Sequence, residues 1–472
     1  MASPNISFDT IGSNRKPGQY IEFNYRLAVR TLPGNTQTVL IVAPMLSTGQ
    51  SAPLTIQNIF SDEEAAVYFG RGSLGHLMAM AAIGAYPYLQ LQMVGVPDAD
   101  TATAAEGTVT LTGQSASSGT LSVTINGTRI DVGISAADTA EVIAAELVRL
   151  AGQKDSLPVT AVAEGGVVTL TSRHKGTCGN DISLSASVTA TGVTAEVVAL
   201  SGGNVDPDIS PALAAAYAAG HNIVVSPFST QEALTTLRNH LTSVSSAMEQ
   251  RGAVGVAGWR KSLSTGSTLT ASLNEGRITV GWHNGSAKTP AQIAAAYAAI
   301  IASEEDPARP LNTLAMSTLD VTPLESRPGR TEQENALRNG LTPFEIGPGD
   351  KVQIVRAITT YTRNAQGVDD VSLLDLTTIR TLDYVRKACR ERIALRFPRD
   401  KLSSRTPPKV RSELLDVLYK LEELEIVEEV EANKDRLLVE RDLQDVNQLD
   451  ARIPADVVNG LHVFAGVIDL LL

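Results

Sequence analysis

Cysteine is nearly absent from this chain of 472 residues. Cys178 and Cys389 stand far apart, so a disulfide framework is not expected and a reducing compartment suits the protein. Histidine is scarce as well: His76, His174, His221, His240, His283 and His462 include no pair at metal-ligand spacing, and neither cysteine lies beside one. Ordinary structural roles are therefore expected of them, and no metal, cofactor or catalytic residue is assigned. No apolar run approaches the ~20 residues that cross a bilayer, and the polar opening MASPNISFD lacks the charged and apolar regions of a signal peptide. A soluble protein made in a cytoplasm, with no membrane insertion, is the expectation, which leaves the sequons at Asn5, Asn126 and Asn284 without weight. An excess of basic charge is missing too. With 39 Lys and Arg against 51 Asp and Glu, the net charge is −12, which argues against direct nucleic-acid binding.

Phosphate-binding loops are imitated but not present. Gly70-Arg71-Gly72-Ser73-Leu74-Gly75 fits G-x-G-x-x-G, yet it follows the helical DEEAAVYF instead of a strand, and the position 20 beyond Gly75 is Gly95, not an acid. A glycine-rich helix start is the better reading. GPGDKV at Gly347 to Val352 lacks the Gly-Lys-Ser/Thr ending of a phosphate loop.

What the chain does contain is length for roughly three domains of ~150 residues and an alternation of strand-like and helical patterns. Residues 1–30 form an N-terminal arm in which Tyr20, Glu22 and Asn24 alternate with Ile21, Phe23 and Tyr25, the period of a strand. Residues 31–97 and 205–348 read as an α/β core, with short apolar strands at Leu40 to Ala43, Leu89 to Val94, Asn222 to Val225, Val254 to Ala257 and Arg277 to Trp282. Helices are expected at Leu74 to Ile83, at Gln231 to Arg251 with Met248 on its apolar stripe, and at Pro290 to Ser303. Residues 98–204 read as an inserted, peripheral β-rich domain with one helix near Asp138 to Leu150, its hairpin marked by Asn126-Gly127.

Residues 349–460 form a C-terminal unit with a strand from Asp350 to Tyr361 and helices at Thr378 to Phe397 and Val410 to Leu424. Its charge is divided: eight basic against three acidic residues lie between Arg380 and Lys401, and five against twelve between Arg411 and Asp445. Two solvated helix faces or electrostatic complementarity with a partner would both account for this. Residues 461–472 form a terminal strand apolar on both faces, Val463, Val467 and Leu471 against Phe464, Ile468, Leu470 and Leu472. It either tucks into its own domain or joins a neighbour's sheet.

Four pieces in order, DPARPL (Asp306 to Leu311), ENALRNGLTPFEI (Glu334 to Ile346), ITTYTRN (Ile358 to Asn364) and LRFPRDKL (Leu395 to Leu402), resemble the tail sheath proteins of Mu-like contractile phages. The opening ISFDTIGSNRKPGQYIEF and the run VLIVAPML at Val39 to Leu46 are similar to the start of that family. The resemblance implies a layered α/β (α+β) sheath core with an inserted β-rich domain and exchanged terminal strands, and no enzyme. It implies a homo-oligomer, hexameric rings stacked helically around a tail tube protein, with baseplate and tail terminator proteins as partners. It places the protein in the virion after assembly in a host bacterial cytoplasm. Subunit contacts would be made by Tyr20, Ile21, Phe23, Val463, Phe464, Val467 and Ile468, and the tube-facing helix would carry Arg386, Lys387, Arg390 and Arg392. The sheath of a headless injection particle and, from another class, an extracellular adhesin or carbohydrate-binding module are the alternatives.

Overall fold

Strands that are apolar at consecutive positions persist only where both faces are covered. Such strands build the centre of this structure, a computed structural model that describes residues 18, 19, 21 and 32–471. In β1 (Thr38–Met45) the neighbours Val39, Leu40, Ile41 and Val42 are all fully buried. The chain continues through β2 (Ile56–Ile59), α1 (Asp62–Phe69), α2 (Leu74–Ala85) and β3 (Gln90–Pro97). The glycine-rich stretch joins the two helices: Gly70 closes α1, and the Ser73 hydroxyl caps α2 by accepting from the His76 amide at 3.0 Å. This is a helix start and not a nucleotide loop.

The next hundred residues leave the sheet. They comprise β4 (Ala104–Gly113), β5 (Gly119–Ile125), β6 (Thr128–Ile134), α3 (Ala140–Ala151), β7 (Val159–Glu164), β8 (Val167–Lys175), β9 (Leu184–Val188) and β10 (Val193–Ser201). These strands form two antiparallel sheets, in the orders β10-β4-β8-β7 and β6-β5-β9, around a separate core that includes Val109, Val123, Ile143 and Leu147. Asn126 and Gly127 both take the positive φ that the β5–β6 turn needs.

The chain then returns through α4 (Ser210–Ala216), β11 (Ile223–Val225), α5 (Gln231–Val244), β12 (Val254–Trp259), α6 (Leu263–Leu273), β13 (Ile278–Trp282), α7 (Pro290–Ser303), α8 (Arg330–Arg338), β14 (Thr342–Gly347) and β15 (Lys351–Ile354). One sheet in the order β15-β14-β13-β12-β11-β1-β3-β2 results, with parallel pairing from β14 to β3 and antiparallel strands at both edges. Two glycines of β12 show how the helices reach it. A Cβ on Gly255 would meet Leu237 and Leu241 of α5 at 2.8 Å, and one on Gly258, three positions on and so on the opposite face, would collide with the Pro290 carbonyl of α7. Helices therefore cover both faces. Helix α7 is buried from Pro290 to Ala302.

The insert rests on the start of this helix. Thr289 and Gln292 form a capping box, and the same Gln292 Oε1 accepts from Asn126 Nδ2 (3.0 Å) at the tip of the hairpin. Ser183 Oγ donates to Ala287 O (2.7 Å), and Asp181 pairs with Lys261 (3.1 Å).

The C-terminal unit has its own core, including Val385, Leu414, Val417 and Leu421. It consists of α9 (Leu376–Arg396), α10 (Thr406–Glu423), α11 (Val430–Asn433) and the two-stranded ribbon β16 (Leu438–Arg441) and β17 (Leu449–Arg452).

Two expectations fail for the same reason, competition from side chains. Helix α5 stops at Val244 because Ser245 and Ser246 turn their hydroxyls to the amides of Ala253 (3.1 Å) and Glu249 (3.3 Å), and Met248 is left 89% exposed. Beyond Ile354 the chain is a loop and not a strand up to Tyr361. Its threonines are tied elsewhere: Thr359 Oγ1 donates to Leu373 O (2.7 Å) and Thr360 Oγ1 to Glu275 O (3.0 Å), while the Ile358 amide donates to Thr342 Oγ1 (3.0 Å).

Substituting Gly258→Ala is expected to destabilise the core by about 1 to 3 kcal/mol, since neither the Pro290 carbonyl nor a helix buried along its length can give way. Urea unfolding checks this, and a midpoint equal to the parent's would contradict the close packing of α7. A second expectation concerns acid. His221, whose Nε2 lies 2.7 Å from Gln92 Oε1, has its pKa pushed down to about 4, first by burial and then by His240. Between the ordinary value near 6.5 and 4 the unfolded chain binds the proton and the folded chain does not. Stability is thus lost as pH falls through that window, by an amount on the order of 3 kcal/mol at full extent. His221→Gln should flatten the melting temperature between pH 7 and 4.5; curves that run parallel to the parent's would refute the assignment.

Candidate assembly interface

Residues 461–471 pair with no strand among the described residues, and their apolar side chains face solvent: Val463 is 77% exposed, Phe464 89%, Val467 88% and Ile468 98%. Ile21 is 86% exposed, whereas Tyr20 and Phe23 lie outside the described residues. The tail does not wander from its root. Gly460 sits against Pro310, and His462 is clamped by Asn312 Nδ2 at Nδ1 (3.0 Å) and by Asp375 at 3.5 Å, itself doubly bonded to Arg356 at 2.8 and 2.7 Å. Burial, then Arg356, lowers the His462 pKa, and Asp375 opposes that. The DPARPL turn thus supplies the mooring of the C-terminal segment, with Leu311 buried beneath it.

Near the arm's origin in sequence lies a receptive surface. The β16–β17 ribbon is antiparallel, pairs Leu438 with Arg452 and Arg441 with Leu449, and among the described residues is hydrogen-bonded to no third strand. A lone ribbon is marginal in water, and its outer edges present unpaired main-chain groups. Beneath it, α9, α10 and β17 enclose an open apolar cleft of about 760 Å³, lined by Val385, Ile393, Phe397, Leu414, Leu449 and Ile453. Sequence reasoning missed β17 and hence the ribbon. The signal was the Asx cluster at the turn: Asp442 accepts from Gln444 and Asp445, and Asp445 from Asn447, at 2.6 to 2.8 Å.

The four α9 cations expected to face the tube all bond within the chain, although Arg390 remains exposed. Arg386 donates to Ser245 O (2.8 Å) and Asp383 (2.9 Å), Lys387 to Gly34 O (2.7 Å), and Arg390 to the backbone and side chain of Gln250 (3.2 and 3.1 Å). Arg392 corrects the expectation of an outward charge. It is buried and bridges Glu413 (3.1 Å) and Asp416 (2.6 Å) of α10. Burial works to raise the Asp416 pKa, but Arg392 and Lys420 outweigh it and hold the carboxyl below its usual range. Much of the charge division between the two helices is therefore satisfied within the chain.

Among the described residues no group of three or more His, Cys, Asp or Glu is placed to hold a metal, and no helix is long and apolar enough to cross a membrane. A folded α/β body with an apolar tail uncovered among the described residues and a ribbon beside an open cleft has the form of a structural subunit with surfaces left for a partner. The chain belongs to the phage tail sheath family: its residues 202–360 match the family model for the phage tail sheath protein central domain, and residues 368–470 the model for the phage tail sheath C-terminal domain. It is 31% identical over 489 aligned positions to the Mu-like prophage FluMu tail sheath protein of Haemophilus influenzae, covering 99% of this chain and all of that one. Among solved structures it resembles the sheath tail protein of Desulfitobacterium hafniense (TM-score 0.53, 15% identity, 94% of this chain and 97% of that one). It likewise resembles that of Listeria innocua (0.53, 15%, 92% and 94%) and a chain of the six-fold symmetrised anti-feeding prophage baseplate (0.52, 11%, 98% and 100%). At such identities these likenesses speak for the fold.

Removing Arg392 takes away the cation that Glu413 and Asp416 share in a partly dry seam and leaves only Arg396 (3.4 Å) beside the one and Lys420 (2.9 Å) beside the other. Arg392→Met is expected to cost about 2 to 4 kcal/mol, with Arg392→Lys recovering part of it. Thermal unfolding is the measurement, and an unchanged midpoint for Arg392→Met would make the bridge irrelevant to stability.

Proposed function

We propose that the chain is one subunit of a contractile tail sheath, polymerising as stacked rings around a tail tube and shortening to drive that tube through a cell envelope. The observation that carries this reading is the apolar tail, held at His462 and uncovered beyond it, in a chain that also offers an open ribbon over an apolar cleft. In the proposed assembly the C-terminal arm of one copy adds to the β16–β17 ribbon of another, with the N-terminal arm near Gln19 to Tyr25 as a further strand. The ten residues after His462 reach about 33 Å when extended, enough to pass between neighbours. Main-chain pairing tolerates motion of the cores, so rings can rotate and approach while the shared sheet persists. Contraction is then a change between two packings of a bistable array, powered by subunit interfaces and not by a nucleotide. Charged residues on the ribbon, Glu440, Arg441, Asp450 and Arg452, would discourage indiscriminate edge pairing before assembly. Of the α9 cations, only Lys387 and Arg390 retain a proposed place toward the tube. Six-fold rings, contact with a baseplate and a terminator, and assembly in a bacterial cytoplasm before incorporation into a virion belong to the same proposal.

Deleting 463–472, or replacing Phe464 and Ile468 by Glu, should leave the melting temperature of the monomer unchanged, because the described side chains of this segment touch solvent, while abolishing rings and tubes in sedimentation velocity. Polymerisation of both variants at the parent's concentration would sink the arm-exchange reading.

A further inference from the structure

Arg380 is the strangest charge in the molecule. It sits on α9 at 6% exposure, donates through Nη2 to Glu304 O (2.5 Å) at the end of α7, and leaves Nη1 buried with no hydrogen-bond partner among the described residues. Burial pushes its pKa down to about 10, so the guanidinium is still charged at neutral pH. A buried, half-satisfied cation is costly unless something compensates it.

The same arginine lines a cleft of about 230 Å³ between α9 and the loops that lead into β1, β11 and β12. This is the N-terminal edge of the parallel strands, away from the carboxyl ends where open α/β sheets usually hold ligands. Lys387, Arg390 and Arg251 share the cleft with Arg380. Its single carboxylate is Asp383, and that group is already engaged: it accepts from Arg277 at 2.7 and 3.0 Å and from Arg386 at 2.9 Å. Arg251 is paired with Glu249. Arg380, Lys387 and Arg390, by contrast, form no salt bridge among the described residues, and their described hydrogen bonds go to the carbonyls of Glu304, Gly34 and Gln250 and to the Gln250 side chain. Three cations therefore converge on a cleft whose one carboxylate is already shared by Arg277 and Arg386, while Glu304 and Asp306 act on Arg380 only through space and make no ion pair with it. At ~30 Å³ per water the space holds several solvent molecules or one tetrahedral anion with room to spare.

We infer that this cleft is an oxyanion-binding site, built to accept a phosphate- or carboxylate-class group between Arg380 at its floor and Lys387 and Arg390 at its rim. Arg380 supplies a fixed donor whose desolvation is already complete, and the rim residues supply mobile charge-assisted hydrogen bonds. The bound group would also join α9 to the sheet. The oxyanion can come from solution or from the acidic surface of a second copy, and the two sources are separable.

Inorganic phosphate is the probe, titrated into the purified full-length monomer at constant ionic strength set with chloride and followed by ³¹P NMR or calorimetry. One saturable site per chain is expected, competed by sulfate and not by chloride. Lys387→Gln with Arg390→Gln should weaken it by at least about tenfold, the loss of roughly one charge-assisted hydrogen bond. Arg380→Gln should abolish it; if that variant fails to fold, the rim variant decides alone. If a second copy is the natural source, free phosphate will slow sedimentable assembly of the parent but not of the rim variant; if solution is the source, assembly will not respond. Absence of saturable binding to the parent, or equal affinity in the rim variant, overturns the inference. Because binding is read on the monomer, it stands or falls independently of arm exchange.

Discussion

The proposed assembly depends on one constraint, a strand-length segment whose apolar side chains cover no surface among the described residues. Each such side chain gains about 1.5 to 3 kcal/mol when fully buried, but fixing the backbone costs about 1 to 2 kcal/mol per residue. Apolar burial alone is thus no more than comparable with the entropy of ordering, and the arm needs the main-chain hydrogen bonds of a ladder as well. The β16–β17 ribbon presents the complementary lack, with edges unpaired on a cleft lined by Val385, Phe397 and Leu449. Neither deficiency is met within one described chain. In the proposed assembly both would be met between chains, and assembly would then complete the fold.

The remaining structure keeps that arm in a defined place. Two-faced burial makes the sheet stiff, and the glycines of β12 let α5 and α7 press directly upon it. The hydroxyl network of Thr279, Tyr297 and Thr342, with Thr279 donating to Ile358 O at 2.6 Å, fixes the ITTYT loop under α9. Burial raises the Tyr297 pKa to about 12, so its phenol remains a neutral donor in that network. From this loop Arg356 reaches Asp375, and Asp375 in turn meets His462. A continuous chain of contacts therefore runs from the core to the root of the arm.

Much of the core was legible because burial leaves a period in sequence. Pro290 after Thr289 marks the start of α7, Asn126-Gly127 marks a hairpin, and consecutive apolar residues mark strands covered on both sides. Period reports burial but not partners. The alternation at Leu461 to Leu472 suits a strand, yet a strand exists only once a ladder forms, and this one has no ladder in a single chain. Charge is less legible still. Eight cations between Arg380 and Lys401 read as a basic face, but their partners, Glu413, Asp416, Asp383 and the carbonyls of Gly34 and Ser245, are scattered over the chain and only the fold collects them.

That collection gives α9 its place in the mechanism. The helix is bonded on one side to the sheet through Asp383 and Arg277, and on the other to α10 through Arg392, so it joins the rigid core to the unit that carries the ribbon. A polymer that shortens must move its cores while keeping its shared sheets, and strain between the two has to cross this helix. Ion pairs that are partly buried resist shear better than exposed ones, which salt and water weaken. Arg380 and Arg392, buried, and Arg386, partly so, tie α9 to its neighbours, and in the proposed assembly this would leave the chain beyond His462 as the element free to move.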